Sequence, residues 1–182
     1  MSGKLIAVVG PSGVGKDTVM EALAAAEPRL SLVRRVITRA PEAGGEAYQP
    51  VSEAAFMQMR ARGDFILHWG AHGLLYGIPK SITAELAAGR DLLVNLSRNV
   101  LAEAGARISG LEIIALQADP AILAQRLAGR GRESAADVAR RLARVAEPLP
   151  TGLKTHEIDN SGALGDTISA IRARLYPEYT PS

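Results

Sequence analysis

The chain has 182 residues, 47% hydrophobic and 22% charged, with a formal net charge of +2 and no cysteine. That length suits one well-buried domain, and the composition excludes a disordered or low-complexity protein. Without cysteine there are no disulfides, thiolate metal sites or cysteine nucleophiles; no stretch approaches the roughly 18 consecutive apolar residues of a membrane span, so a cytoplasmic protein with no membrane partner is expected.

The first predicted element is a buried-type strand, Leu5–Val9. It runs into Gly10-Pro11-Ser12-Gly13-Val14-Gly15-Lys16-Asp17-Thr18 and then into a helix from Asp17 to Ala26 with Val19, Met20, Leu23 and Ala24 available for one face. Spaced glycines let the backbone turn successive N–H groups toward one anion, and the helix adds the positive end of its dipole. This succession reads as a nucleotide-phosphate loop, with Lys16 at the β/γ-phosphate end. Its last position departs from G-x-x-x-x-G-K-[ST], because Asp17 follows the lysine and the hydroxyl comes one residue later, at Thr18. Either Asp17 brings a carboxylate to Mg²⁺, directly or through water, or that place is left to solvent; the carboxylate is the preferred reading.

From about residue 32 to 80 the strand–helix alternation lapses. Short β-like pieces, a polar glycine-rich turn at Glu42–Glu46, a helix from Ser52 to Arg62 and the run Asp64-Phe65-Ile66-Leu67-His68-Trp69 read as an inserted substrate-side subdomain. Phe56, Phe65 and Trp69 are expected to form its small core, with His68 and His72 as structural residues or sugar-hydroxyl contacts. A helix over Lys80–Gly89, strands at Asp91–Leu96, Leu111–Leu116 and His156–Ile158, a helix starting at Asp119-Pro120 and a last helix over Asp166–Leu175 then restore the alternation. The expectation is an α/β fold: a three-layer α/β/α core of residues 1–31 and 81–182 around a parallel sheet, with ligands at the carboxyl ends of the strands. Within it, about residues 125–144, Arg126, Arg130, Arg132, Arg140, Arg141 and Arg144 surround Gly129 and Gly131. A helix, glycine hinge and helix of this kind reads as a lid that closes guanidinium groups over phosphates.

The phosphate loop, Thr38-Arg39-Ala40-Pro41, Gly44–Glu46, Val51-Ser52-Glu53 with Phe56, Gly63-Asp64-Phe65, Tyr76-Gly77 with Pro79, Arg130-Gly131 with Glu133-Ser134, and Arg141-Leu142 follow one another as in guanylate kinases. The resemblance covers nearly the whole chain and implies the P-loop kinase fold: a core, an acceptor-binding subdomain and a helical lid. Two positions depart from it. Where guanylate kinases carry a glutamate that grips guanine this chain has Leu67, and where they carry a threonine on the base it has Ile78. A buried polar base that loses its partners costs about 1–3 kcal/mol per unpaired group. On the phosphate side Arg35 replaces an expected serine, beside Arg34, although Glu42 stands where a second arginine is expected after Arg39.

These departures, with Leu93–Arg98, His72–Gly77 and Gly129–Glu133, resemble the ribose 1,5-bisphosphate phosphokinase family, which makes 5-phosphoribosyl 1-diphosphate with ATP in phosphonate utilisation. The resemblance implies ATP and Mg²⁺ as cofactors, with Lys16, Arg130 and Arg141 catalytic and Asp17 on the metal. Gly10 to Thr18, Arg130 and Asn160 would hold the nucleotide, and Arg35, Arg39, Tyr76, Asn95 and Arg98 the acceptor. The partners would be ATP and a small phosphorylated sugar, not nucleic acid, for which 4% aromatic residues offer few stacking platforms. A monomer or homodimer is expected. The rival readings are a guanylate or other nucleoside-monophosphate kinase and a catalytically silent guanylate-kinase-like binding module; the intact Lys16 and lid arginines weigh against the latter.

Overall fold

Strand β1 (Leu5–Val9) is buried along its whole length, and its alternation sorts the core into two layers. Leu5, Ala7 and Val9 pack with Leu92, Val94, Ile113 and Ala115 on one face; Ile6 and Val8 pack with Leu93, Ile114 and Leu116 on the other. A computed structural model of the chain, describing residues 2–41, 46–129 and 148–177, shows why. The strand is the centre of a five-stranded parallel sheet with β2 (Leu30–Leu32), β7 (Asp91–Asn95), β8 (Glu112–Gln117) and β9 (Lys154–Asp159), in the order β2-β7-β1-β8-β9. Helices cover both faces, which is why the strand is an unbroken apolar run rather than an alternating one.

One layer holds α1 (Lys16–Ala26), α5 (Pro120–Ala128) and α6 (Leu164–Leu175), through Val19, Leu23, Leu123, Ile168 and Ile171. The other holds α3 (Ile82–Ala87) and α4 (Leu101–Arg107), through Ile82, Leu86, Leu101 and Ala104. The start of α5 follows from its sequence: Asp119 accepts a hydrogen bond from the Ala121 amide at 2.8 Å, and Pro120 fills the first helical position. The short α4 was not foreseen, because seven residues with only Leu101 and Ala104 buried are too few to display a period. Edge strand β9 starts at Lys154 instead of His156, its exposed Lys154 and Glu157 masking the pattern.

The 32–80 region builds a second, four-stranded sheet ordered β4-β3-β6-β5, from β3 (Val36–Ile37), β4 (Gln49–Pro50), β5 (Phe65–Ala71) and β6 (Leu74–Pro79). Strands β5 and β6 form a hairpin whose two turn residues, His72 and Gly73, have φ of 52° and 74°, the left-handed pair that matches the strands' own twist. Helix α2 (Glu53–Ala61) is capped by Ser52, whose side chain accepts from the Ala55 amide at 3.1 Å, and lays Phe56 on Phe65 with ring centroids 4.7 Å apart. Trp69 does not join that small cluster as expected. It stacks on Tyr76 at 5.3 Å and, with Leu67 and Ile78, packs into the main core beside β1. The second sheet thus shares hydrophobic contacts with the first. Among the described residues no helix is long and apolar enough to cross a membrane.

Candidate active site

The loop after β1 carries Gly13 and Gly15 at φ of 84° and 93°, left-handed conformations that any side chain would strain. Gly15 is also the N-cap of α1 and has no side chain with which to cap it. The first N–H groups of the helix and the positive end of its dipole are therefore left to an anion. Lys16 adds the full charge. Its Nζ donates to the Gly10 carbonyl at 2.6 Å, and burial pulls its pKa down; Asp17 opposes that shift while Arg35 and Arg98 reinforce it.

The loop is braced from behind. The side-chain amide of Asn160 donates to the Val14 carbonyl at 2.7 Å, and its oxygen accepts from the Thr167 hydroxyl at 2.6 Å. Arg126 adds two further bonds, Nη1 to Val14 O at 3.2 Å and Nη2 to Asn160 O at 2.8 Å. Asn160→Ala leaves Val14 and Thr167 without this buried partner. It is expected to cost about 1–3 kcal/mol in urea unfolding and to weaken ATP binding in a titration, with the acceptor KM unchanged.

In front of the loop lies a cleft of about 720 Å³ at the carboxyl ends of β1, β7 and β8. Gly10 to Ser12, Asn95 to Arg98 and Gln117 contribute from the core, and Arg35, His72 and Tyr76 from the second sheet. Lys16, Arg35 and Arg98 therefore face one space, and each of the latter two is close enough to depress the protonation of Lys16. Like charges gathered in a partly desolvated cleft repel, and a polyanion relieves the repulsion. Arg35 is the most buried of them at 6% exposure. Its Nε donates to Glu46 Oε2 at 3.1 Å, its Nη2 donates to Glu46 Oε1, and the guanidinium lies 5.0 Å from the centre of the Tyr76 ring. Burial pulls its pKa down to about 10, so it stays charged at neutral pH. Leu67 and Ile78 are cross-strand partners, both 0% exposed and turned into the core.

The guanylate kinase family model matches residues 2–155. A ribose 1,5-bisphosphate phosphokinase from Ruegeria sp. (strain TM1040) is 56% identical over 177 residues, spanning 97% of this chain and 93% of that protein. Another, from Pseudomonas fluorescens (strain SBW25), is 47% identical over 181 residues and spans 94% of each. The chain belongs to the ribose 1,5-bisphosphate phosphokinase family. A crystal structure of guanylate kinase from Anaplasma phagocytophilum superposes with a TM-score of 0.73 at 19% identity, covering 100% of this chain and 88% of that one, which shows the shared fold.

In this member of the ribose 1,5-bisphosphate phosphokinase family, Gly10, Pro11, Ser12, Lys16, Arg35, Tyr76, Asn95 and Arg98 line one cleft. Arg39 is not among the lining residues. It sits 5.3 Å from the Tyr48 ring centre and acts on Arg35 through its charge. Asp17 lines a smaller neighbouring cavity of about 120 Å³ with Met20, Arg34 and Glu46, while Thr18 is exposed. Asn160 faces the back of the phosphate loop, where its side chain joins Val14 to Thr167. Arg126 is no lid arginine either, since its guanidinium is bound to loop carbonyls. Arg130, Arg132, Arg140, Arg141 and Arg144 lie outside the described residues. Sequence reasoning missed Glu46 as a partner of Arg35. The two are eleven positions apart, a spacing with no period to betray it.

Proposed function

We propose that this chain transfers the γ-phosphoryl group of ATP to ribose 1,5-bisphosphate, yielding 5-phosphoribosyl 1-diphosphate and ADP. An oxygen of the acceptor's 1-phosphate attacks the γ-phosphorus, and the bond from that phosphorus to the β,γ-bridging oxygen breaks. The attacking oxygen is anionic near neutral pH, so no general base is required. Alignment and charge neutralisation carry the reaction, as expected for a loose phosphoryl-transfer transition state. Lys16 and the amides of the loop hold the donor phosphates. Arg35, Arg98, Asn95 and Tyr76 receive the acceptor, with Arg39 supporting through its charge, and Arg130 and Arg141 complete the charge from the lid. Core 1–31 and 81–182, acceptor subdomain 32–80 and lid 125–144 are the working parts, and cytoplasmic ATP is the donor.

Mg²⁺ fits this donor set. Among the described residues no group of three carboxylate, histidine or cysteine side chains forms a metal site of its own, and Mg²⁺ at phosphate sites needs only one or two protein ligands beside phosphate oxygens and water. Asp17, in the first turn of α1, would supply that carboxylate. When bound there, Mg²⁺ would offset the negative charge of the donor phosphates.

The observation that carries the substrate assignment is the pairing of Leu67 with Ile78 across β5 and β6, at the two positions where guanylate kinases read guanine. Both are fully buried and aliphatic, and neither lines the cleft, into which Lys16, Arg35 and Arg98 bring three cations. In an ADP-release assay, ribose 1,5-bisphosphate should exceed GMP, dGMP and AMP by at least about 10²-fold in kcat/KM. A preference for GMP would overturn the assignment.

A further inference from the structure

The pairing of Arg35 with Glu46 is unusual in its placement. A buried ion pair seldom stabilises a fold more than apolar side chains of the same volume would, because both charges lose their hydration. If Arg35 served only as filling between the two sheets, an aliphatic residue would do as well. Instead a guanidinium with 7% of its side chain exposed lines the reaction cleft, held by a carboxylate that is itself only 16% exposed. Glu46 occupies Nε and Nη2, and the Tyr76 ring lies beside the guanidinium plane. Two of the three nitrogens are taken, which leaves the Nη1 group for an anion. Tyr76 is in turn fixed by its stack on Trp69, with rings 8° from parallel. An arginine held on these sides has lost its rotamer freedom before any ligand arrives, so binding does not have to freeze it.

Resting on the reaction proposed above, we infer that Glu46 is a positioning residue for the phosphoryl acceptor. Its carboxylate, working with Tyr76, fixes Arg35 beside Lys16 and Arg98 so that a sugar-borne phosphate meets a pre-set guanidinium. The arrangement also sets specificity. Recognition of the acceptor moves from the base, where Leu67 and Ile78 offer nothing polar, to the phosphate, where geometry is fixed in advance.

The test is a kinetic cycle on the full-length protein with Glu46→Gln, Glu46→Asp, Arg35→Lys and the double variant Glu46→Gln/Arg35→Lys. Glu46→Gln keeps one oxygen acceptor for the arginine and so keeps the fold, checked by its thermal midpoint. It should raise the acceptor KM by about tenfold while kcat and the ATP KM stay within about twofold, the pattern of lost ground-state acceptor binding. Glu46→Asp, which retains the charge, should recover part of the loss. Added to Arg35→Lys, the glutamine substitution should change the acceptor KM by less than about twofold, because residues acting as a unit are not additive. Multiplying effects, an ATP KM that rises as much as the acceptor KM, or an acceptor KM that is unchanged would overturn the inference. A fall in the acceptor KM would overturn it too, since the carboxylate would then be competing with the acceptor for Arg35. If the wild-type protein phosphorylates GMP and not the sugar bisphosphate, the proposed reaction fails. The cycle is then read with GMP, whose phosphate would meet the same arginine and should show the same coupling.

Discussion

Lys16→Ala is expected to lower kcat by about 10²–10³-fold and to raise the thermal midpoint of unfolding at neutral pH. The first half follows from where the ammonium stands. Its Nζ lies 2.6 Å from Gly10 O, at the mouth of a loop whose amides and helix dipole already favour an anion, and it is the loop's one full positive charge. The second half follows from the sign of its titration. Burial, Arg35 and Arg98 together depress the Lys16 pKa. A lysine whose folded pKa lies below its unfolded value reduces stability wherever it must remain protonated; that penalty is fully present below the folded pKa and disappears only as pH rises past the unfolded value near 10.5. Removing the ammonium removes the penalty and one of three mutually repelling cations, so the folded state gains while the reaction loses. Steady-state assays and a thermal melt on the same preparation test both halves. Turnover within tenfold of the wild type would show that the loop amides suffice without the lysine, and a large fall in the midpoint would show that the lysine is structural.

The phosphate loop was the most legible part of the chain because its chemistry is local. Two left-handed glycines, a lysine and a flanking strand and helix all lie within one stretch of sequence, and each residue announces its own role. The parallel sheet was legible for a related reason: β1, β7 and β8 are buried on both faces, and that burial writes itself as unbroken apolar runs. What joins the elements was not legible. Glu46 reads as a polar turn residue until Arg35 is folded against it, and Asn160 reads as a loop residue until Val14 and Thr167 are found on its two ends. Arg126 had the composition of a lid arginine and the position of a loop brace. In each case the partner is another segment's backbone or side chain, and a one-dimensional pattern carries no trace of it. Trp69 is the apolar counterpart, since its period-2 place in β5 says that it is buried but not against which sheet.

Leu67→Glu, which restores the acid that guanylate kinases place on guanine, is expected to destabilise the fold by more than about 4 kcal/mol and to confer no GMP activity. Leu67 and Ile78 face each other across the β5–β6 hairpin at 0% exposure, inside the cluster that contains Leu5, Val9 and Trp69. A carboxylate there is cut off from water, so it must either take up a proton or open the interface between the two sheets. Ile78→Thr is the milder probe, because it keeps the branched shape and buries one hydroxyl, with an expected loss of about 1–3 kcal/mol. Urea denaturation gives both numbers, and ADP release with GMP gives the functional one. A doubly substituted protein that stays as stable as the parent and phosphorylates GMP would mean that these side chains turn toward the cleft, and the case for a base-free acceptor would go with them. The physical point is that Leu67 and Ile78 are core residues before they are anything else. Exchanging Leu67 and Ile78 for polar residues does not by itself make a base-reading surface, because the same two side chains hold the four-stranded sheet against the five-stranded one.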